Sequence, residues 1–190
     1  LAAEATDAYA LPDWIPLASK LTSLLGVIVA FLLAGVAFSV FWQLASGYTS
    51  LEPLLYMKGV TLTTLSFLLV AVLAVFLQVI SGNKFIGYLL MIVYLVAAAG
   101  MAMLDFDHPL YRYRSSSQIP YSDMNGYGHF IGPHLWFRAY WGVFAVMLLI
   151  VALLAWPRGT SLSLGDRLRQ ARARLRAPVV ATLCIGMLAF

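Results

Sequence analysis

Four long stretches of the chain consist largely of apolar residues, and charged residues are confined to the ends of these stretches and to the segments outside them. Crossing about 30 Å of hydrocarbon takes roughly 20 apolar residues in a helix. A fifth apolar stretch begins at Pro178, a residue type suited to the first turn of a helix. The pattern predicts an all-α, polytopic transmembrane helix bundle with four complete spans and a truncated fifth. We expect a cytoplasmic lead-in at 1–20 and a transmembrane domain at 21–190, with spans over residues 21–45, 59–80, 85–104, 135–156 and 178–190.

The composition agrees with a membrane protein, since 62% of the 190 residues are hydrophobic and 11% are charged. Soluble domains have about 45–50% apolar and about 25% charged residues, so soluble enzyme classes are excluded. The single cysteine, Cys184, excludes a disulfide framework or a cysteine-based metal site within the chain. Because the chain starts without Met and ends inside an apolar stretch, we expect it to be part of a longer protein.

The arginines between the fourth and fifth spans predict the orientation. Short loops rich in Lys and Arg stay in the cytoplasm. Six of the twelve cations lie in this one link, so we place it inside, together with the N-terminal segment. The long loop at 105–133 is then outside, and the truncated fifth span heads outward. The six arginines are Arg158, Arg167, Arg169, Arg172, Arg174 and Arg176.

The same link has the pattern of an amphipathic helix at 161–177. Leu164, Leu168, Ala171 and Leu175 fall within about 60° of one another on a helix, which makes a single apolar stripe. A helix of this kind lies in the headgroup layer with its cations on anionic lipid. The alternative is a docking surface for a cytoplasmic partner. Nucleic acid is not expected as a partner, because the apolar stripe would then remain in water. The predicted contact residues are Arg167, Arg169, Arg172, Arg174 and Arg176.

The loop at 105–133 is too long to be a simple connection between helices, and loops of this length tend to be functional or disordered. Its aromatic residues favour order, and Asn125-Gly126 is a turn signal that requires a positive φ. We predict a cap that contacts an extracytoplasmic domain, with a self-contained plug over the helix ends as the alternative. The predicted docking residues are Tyr111, Tyr113, Tyr121, Asp123, Asn125, Tyr127 and His129.

The sequence contains no recognisable catalytic or metal-binding motif. The acids and histidines of the loop (Asp105, Asp107, His108, Asp123 and His129) match no metal-ligand motif, and we expect them to cap helix ends. No zinc-protease motif, phosphate loop or nucleophile elbow occurs. None of the histidines falls inside a predicted span, which argues against a haem subunit. The sequence therefore predicts no catalytic residue, no cofactor and no metal in this chain.

Several segments nevertheless resemble one family of bacterial membrane proteins. They are LLYMKG at 54–59, NKFIGYLL at 83–90, FDHPLYRY at 106–113, PYSDMNGYGHF at 120–130 and WFRAYW at 136–141. The family consists of permeases of ABC-type exporters, many fused at the C-terminal end to an extracytoplasmic zinc aminopeptidase domain. The resemblance extends from about residue 11 to 190. The motif PYSDMNGYGHF is fairly specific to the family, whereas the hydrophobic spans by themselves are not.

The resemblance implies a transmembrane permease segment in the bacterial inner membrane. Its implied partners are the lipid bilayer, a separate ATP-binding cassette ATPase, the rest of its own permease and a peptidase domain after the last helix. The family's zinc motif is absent, so no peptidase residue carries over. The alternative function is a membrane anchor that positions an extracytoplasmic peptidase without transporting anything. The sequence identifies no substrate.

Overall fold

The computed structural model describes residues 12, 14–104, 106, 108, 110–122, 124, 126–156, 172, 174 and 177–189. Within these residues the chain is mostly helical, and its one β contact is an isolated bridge between Ser122 and Gly126. The helices are α1 (Trp14–Ala45), α2 (Pro53–Ser81), α3 (Lys84–Met103), α4 (Ile131–Leu154) and α5 (Ala177–Ala189). A short 3₁₀ helix (Gly128–Phe130) leads into α4.

The local sequence accounts for the tight connection between α2 and α3. The α2 helix ends at Gly82, which has a left-handed backbone (φ 64°) that glycine adopts without steric cost. Asn83 then begins α3, since its side-chain oxygen accepts a hydrogen bond from the Phe85 amide at 2.9 Å. The α3 helix therefore returns antiparallel along α2 after a two-residue link.

The α2 helix is the centre of the bundle and contacts α1, α3 and α4, while α4 also contacts α5. Two apolar clusters hold the helices together. One joins α1, α2 and α4 through Leu17, Val75, Val79, Ala152 and Trp156. The other joins α2 and α4 through Leu69, Val72, Trp141, Ala145 and Leu148. Ala152 of α4 is 0% exposed and thus lies at the centre of the first cluster.

The bundle has two distinct ends. We call the end that carries residues 46–52 and the long loop the loop end. The opposite end, which carries residues 81–83 and Trp156, is the Trp156 end. Lys20 of α1 places its Nζ 4.7 Å from the centre of the Trp156 ring there. The α5 helix runs from the Trp156 end towards the loop end, because Arg174, just before α5, binds the carbonyl of Trp156, and Gly186 near the end of α5 packs against Met147 in the middle of α4.

The chain is a multi-pass membrane protein. Four helices are long and apolar enough to cross a membrane, and the described part of the fifth helix is shorter. Their outer surfaces remain apolar, as Phe31 on α1 illustrates with 78% exposure. Exposure of such a surface to water would be unfavourable, whereas its contact with the hydrocarbon of a lipid bilayer is favourable. The predicted all-α bundle with four full spans and a shorter fifth is confirmed.

The helix boundaries differ from the prediction at the polar ends. The α1 helix begins at Trp14, so part of the predicted lead-in is helical, and α2 begins at Pro53 rather than at 59. The α4 helix begins at Ile131 rather than at 135 and includes His134, which was expected to lie outside the spans. Gly132 and Pro133 were interpreted as loop residues, but proline is accepted in a first helical turn.

Candidate functional site

The long loop does not remain at the loop end but enters the bundle. The Tyr113 hydroxyl donates a hydrogen bond of 2.9 Å to the carbonyl oxygen of Leu69, which lies near the middle of α2. The carbonyl of Tyr113 accepts a hydrogen bond of 3.1 Å from the hydroxyl of Tyr94, near the middle of α3. We call residues 112–119 the re-entrant segment. Non-helical backbone at membrane depth is accommodated only where protein or a water-filled cavity surrounds it.

Aromatic packing holds the tip of the re-entrant segment. The Tyr113 ring makes edge-to-face contacts with Trp141 (centroids 5.3 Å apart) and Phe144 (5.7 Å) of α4. Contacts of this geometry contribute about 0.5–1.5 kcal/mol each beyond the area that they bury. Burial, and next the neighbouring Tyr94, raises the pKa of the Tyr113 hydroxyl above 10. Tyr113 is therefore a neutral hydrogen-bond donor at physiological pH.

Arg138 of α4 fixes the return of the re-entrant segment with all three nitrogens of its guanidinium group. Its Nη1 donates to the carbonyl of Arg114 at 2.6 Å, and its Nη2 donates to Ser116 Oγ at 3.0 Å. Its Nε donates to His134 Nε2 at 3.2 Å. His134 and Arg138 are four residues apart and thus share one face of the helix.

His134 completes this network. The residue is 6% exposed, and its Nδ1 lies 3.2 Å from the carbonyl oxygen of Ser117. Because Nε2 accepts from Arg138, the pattern assigns the proton to Nδ1, which donates to Ser117. The neutral imidazole thus uses both of its nitrogens, and the buried polar side chain is satisfied.

The backbone of Arg114 is in a conformation that is rare for a residue with a side chain. Its φ is 65°, and Arg114 is the one residue other than glycine with a positive φ in the part of the chain that the structure describes. A left-handed backbone costs an ordinary residue about 1–2 kcal/mol. The hydrogen bond from Arg138 to the Arg114 carbonyl helps to stabilise this turn. The turn lets the segment reverse direction inside the bundle.

A cavity of about 370 Å³ lies between the re-entrant segment and α3. Its α3 wall is formed by small and apolar side chains, and its other wall carries two arginines. The lining residues are Tyr94, Leu95, Ala98, Ala99, Ala102, Arg112, Tyr113, Arg114 and Ser115.

The rest of the loop folds over the loop end of α2. Ser122 and Gly126 exchange two backbone hydrogen bonds, at 2.9 and 2.6 Å, and Gly126 has a φ of 59°. The predicted positive-φ turn is confirmed at Gly126. The Tyr127 hydroxyl lies 3.3 Å from the position that a Cβ would occupy on Gly59, and its ring meets Tyr121 edge to face. The absence of a side chain on Gly59 therefore permits the loop to lie on α2.

The predicted docking residues of the loop do not form one surface. Tyr111, Tyr121 and His129 are exposed, and Tyr127 is half-buried against α2. Tyr113 lies inside the bundle, which differs from the outward position expected of a docking residue. Asp123 and Asn125 lie outside the described residues.

The predicted basic helix at 161–177 lies almost wholly outside the described residues, as do Arg167, Arg169 and Arg176. Arg172 is exposed. Arg174 Nη1 donates to the carbonyls of Trp156 at 3.1 Å and Leu154 at 3.4 Å. Arg174 thus contacts the carboxyl end of α4, where a cation is favourable.

The polar network between α4 and the loop was not predicted from the sequence. Arg112 and Arg114 reach the bundle on a loop, and the hydropathy of the chain does not reveal the depth of loop residues. The available signal was the His134–Arg138 pair, four residues apart and directly before an apolar run.

Metal ligands do not come together in the part of the chain that the structure describes, where no three His, Cys, Asp or Glu side chains form a group. Of the loop residues considered for a metal, Asp105, Asp107 and Asp123 lie outside the described residues. His108 Nδ1 accepts a hydrogen bond from the Leu110 amide, and the His129 ring packs on Phe130. Comparison of the chain with family models, curated proteins and solved structures gives no match.

Proposed function

We propose that this chain is a transmembrane permease segment of an ATP-driven, ABC-type exporter in the bacterial inner membrane. The observation that supports it best is the re-entrant segment, which brings charged and hydrogen-bonded groups to the middle of an apolar helix bundle. Polar groups at membrane depth are costly and usually belong to a pathway or a coupling site. A bundle that serves only as an anchor has no need of such groups.

The sidedness of the bundle agrees with this function. The arginine-rich link at 157–176 follows the Trp156 end of α4, and the positive-inside rule places that end in the cytoplasm. A cytoplasmic ATPase subunit would then meet the Trp156 end. The loop end would face outward, and α5 runs towards it, as required for a peptidase domain that follows this helix outside the cytoplasm.

The second candidate function is a membrane anchor for an extracytoplasmic peptidase. It is favoured by the contacts that hold the re-entrant segment in place, since Tyr113 of the segment binds the backbone of α2, and His134 and Arg138 of α4 bind the segment directly. A segment held in this way suits a bundle with a single conformation. The permease function requires that the same contacts open during a transport cycle.

Purification from bacterial membranes separates the two functions. An affinity-tagged chain should co-purify with an ATP-binding cassette subunit, and the complex in lipid nanodiscs should hydrolyse ATP. The control is the same complex with the ATPase inactivated in its phosphate-binding loop. Co-purification with a peptidase alone, without an ATPase and without ATP hydrolysis, would support the anchor and contradict the permease.

A further inference from the structure

The cavity between α3 and the re-entrant segment concentrates positive charge at membrane depth. Arg112 and Arg114 line its segment wall, and both lie near enough to the Tyr94 hydroxyl to interact with it electrostatically. An arginine inside a membrane is expensive unless an anion or a set of hydrogen-bond acceptors accompanies it.

The described residues supply no anion to these arginines. Glu52 is the one carboxylate side chain among them, and it lines a different cavity together with Lys58. The Nε of Arg112 is shielded from solvent and has no hydrogen-bond partner in the described part of the chain. A buried donor without a partner costs about 1–3 kcal/mol, and more when the group is charged.

Arg138 does not neutralise Arg112 and Arg114 but positions them. Its guanidinium hydrogen-bonds to Arg114, Ser116 and His134, so it adds a third positive charge close to Arg114. By binding the Arg114 carbonyl it also fixes the turn from which Arg112 and Arg114 extend. The turn therefore keeps both arginines at one wall of the cavity.

The opposite wall of the cavity is suited to alkyl chains. Ala98, Ala99 and Ala102 give α3 a surface of small side chains there, and Leu95 adds a larger apolar side chain. The neighbouring Val96 is 66% exposed on the outer surface of α3. A ligand in the cavity thus meets guanidinium groups on one side and hydrocarbon on the other.

We propose that this cavity binds a phosphate group through Arg112 and Arg114. The planar guanidinium matches phosphate oxygens in a bidentate geometry, and two of them neutralise one phosphate better than a single cation does. The phosphate belongs either to the head group of an anionic phospholipid or to free phosphate. The inference goes beyond the proposed transport function and does not require it.

Equilibrium binding tests the site without ATP or an ATPase, so that its result is separate from the test of transport. The full chain in detergent is titrated with phosphatidylglycerol or with phosphatidylcholine of the same acyl chains, and the bound lipids are counted by native mass spectrometry. We expect phosphatidylglycerol to bind about tenfold more tightly, the effect of one or two charge-assisted hydrogen bonds. Arg112→Gln and Arg114→Gln should each abolish most of this preference.

Matched variants isolate the effect of the two arginines. Lys58→Gln removes one positive charge from the loop end outside the cavity and should leave the preference unchanged. Arg112→Lys keeps the charge and should retain part of the preference, which separates lost binding from lost folding. In a parallel arm, inorganic phosphate alone is titrated. Binding of phosphate that requires Arg112 identifies free phosphate as the source, and arginine-dependent binding of phosphatidylglycerol alone identifies the lipid.

Two results would overturn the proposal. One is binding of phosphatidylglycerol and of phosphate that does not change in Arg112→Gln and Arg114→Gln. The other concerns Asp105 and Asp107, the carboxylates nearest in sequence. If arginine-dependent binding appears only after Asp105→Asn and Asp107→Asn, the arginines are paired within the chain and the cavity is not a phosphate site.

Discussion

Arg138 shows how one side chain can fix a loop inside a bundle. Its planar guanidinium group donates in three directions, to the backbone of Arg114, to Ser116 and to His134. A lysine ammonium carries the same charge on a flexible stem but has no rigid fork. The geometry of the guanidinium, and not its charge alone, therefore holds the re-entrant segment against α4.

Replacing Arg138 by Lys should accordingly loosen the segment without unfolding the bundle. We expect a loss of about 2 kcal/mol of stability in residues 114–117, because at least one charge-assisted hydrogen bond is not replaced. Amide hydrogen exchange should accelerate there by more than tenfold. The exposed Arg172→Lys is the control and should leave exchange unchanged. Equal amide exchange in Arg138→Lys and the unaltered chain would show that the guanidinium group of Arg138 does not hold the re-entrant segment against α4.

Tyr113 contributes both a ring and a hydroxyl, and the two can be separated. Tyr113→Phe keeps the edge-to-face contacts and removes the hydrogen bond to Leu69, so the free energy of unfolding should fall by about 1 kcal/mol. Tyr113→Ala also removes the ring, and the fall should reach about 3–5 kcal/mol. Thermal unfolding in detergent measures both variants. Equal stability of the three proteins would place the ring outside the bundle.

Because the pKa of Tyr113 is raised, the stability difference between the unaltered chain and Tyr113→Phe depends on pH. Burial raises the pKa in the folded state, whereas an unfolded tyrosine titrates near 10. The contribution of the Tyr113 hydroxyl to the free energy of unfolding is therefore complete below about pH 10. It is lost as the pH rises towards the pKa of Tyr113 in the folded state. The stability difference between the unaltered chain and Tyr113→Phe should be constant below about pH 10 and shrink above it. A difference that grows above pH 10 would contradict this sign.

For single residues, the position of a polar side chain in the fold was predicted from its place along the chain. His134 lay outside the predicted fourth span, which began at residue 135, and Tyr113 was predicted as a docking residue of the outer loop. Hydropathy along the chain does not fix where α4 begins, and it does not report how deep a loop residue lies. The depth of a loop residue depends on hydrogen bonds to distant helices, such as the bond from Tyr113 to Leu69, which separation along the chain does not reveal.

At the scale of elements, the close contact between α2 and α3 depends on Gly87. A Cβ on this residue would lie 3.0 Å from Gln78 Cα, which is backbone and cannot turn aside. Gly100, in the same helix, has no neighbouring atom within 4 Å of that position. The absence of a side chain therefore matters at one glycine of α3 and not at the other.

We predict that Gly87→Ala lowers the melting temperature, because α3 has to move away from α2. Gly100→Ala should leave the melting temperature unchanged or raise it slightly, since alanine favours the helix by up to about 1 kcal/mol. Thermal unfolding of the two variants side by side makes the comparison. A lower melting temperature in Gly100→Ala than in Gly87→Ala would contradict the packing described for this link.

The elements themselves were largely predictable, because long uncharged runs and a turn glycine leave few alternatives to membrane helices. The apolar runs predicted the middle of every helix. The ends were less accurate, since the hydrophobic signal fades where a helix continues into polar sequence. Residues 14–20 of α1 and 53–58 of α2 are helical beyond the predicted spans for this reason.

At the scale of the whole molecule, the arginine-rich link predicts the sidedness of the membrane domain. In a Cys184→Ser background, single cysteines at Met124 and at Ser161 should react oppositely with an impermeant maleimide on intact cells. Met124 is 99% exposed at the loop end and should be labelled from outside. Ser161→Cys should be labelled only after the membrane is opened. Labelling of Ser161→Cys in intact cells would reverse the orientation.

The central claim is that the loop enters the bundle, and cysteine accessibility tests it most directly. Ser117 Oγ is buried, whereas Met124 of the same loop is exposed. In the Cys184→Ser background, Ser117→Cys should therefore react with the impermeant maleimide far more slowly than Met124→Cys. Adding Arg138→Ala should bring the two rates close together. If Ser117→Cys reacts as fast as Met124→Cys while Arg138 is present, the loop lies outside the bundle and the account is wrong.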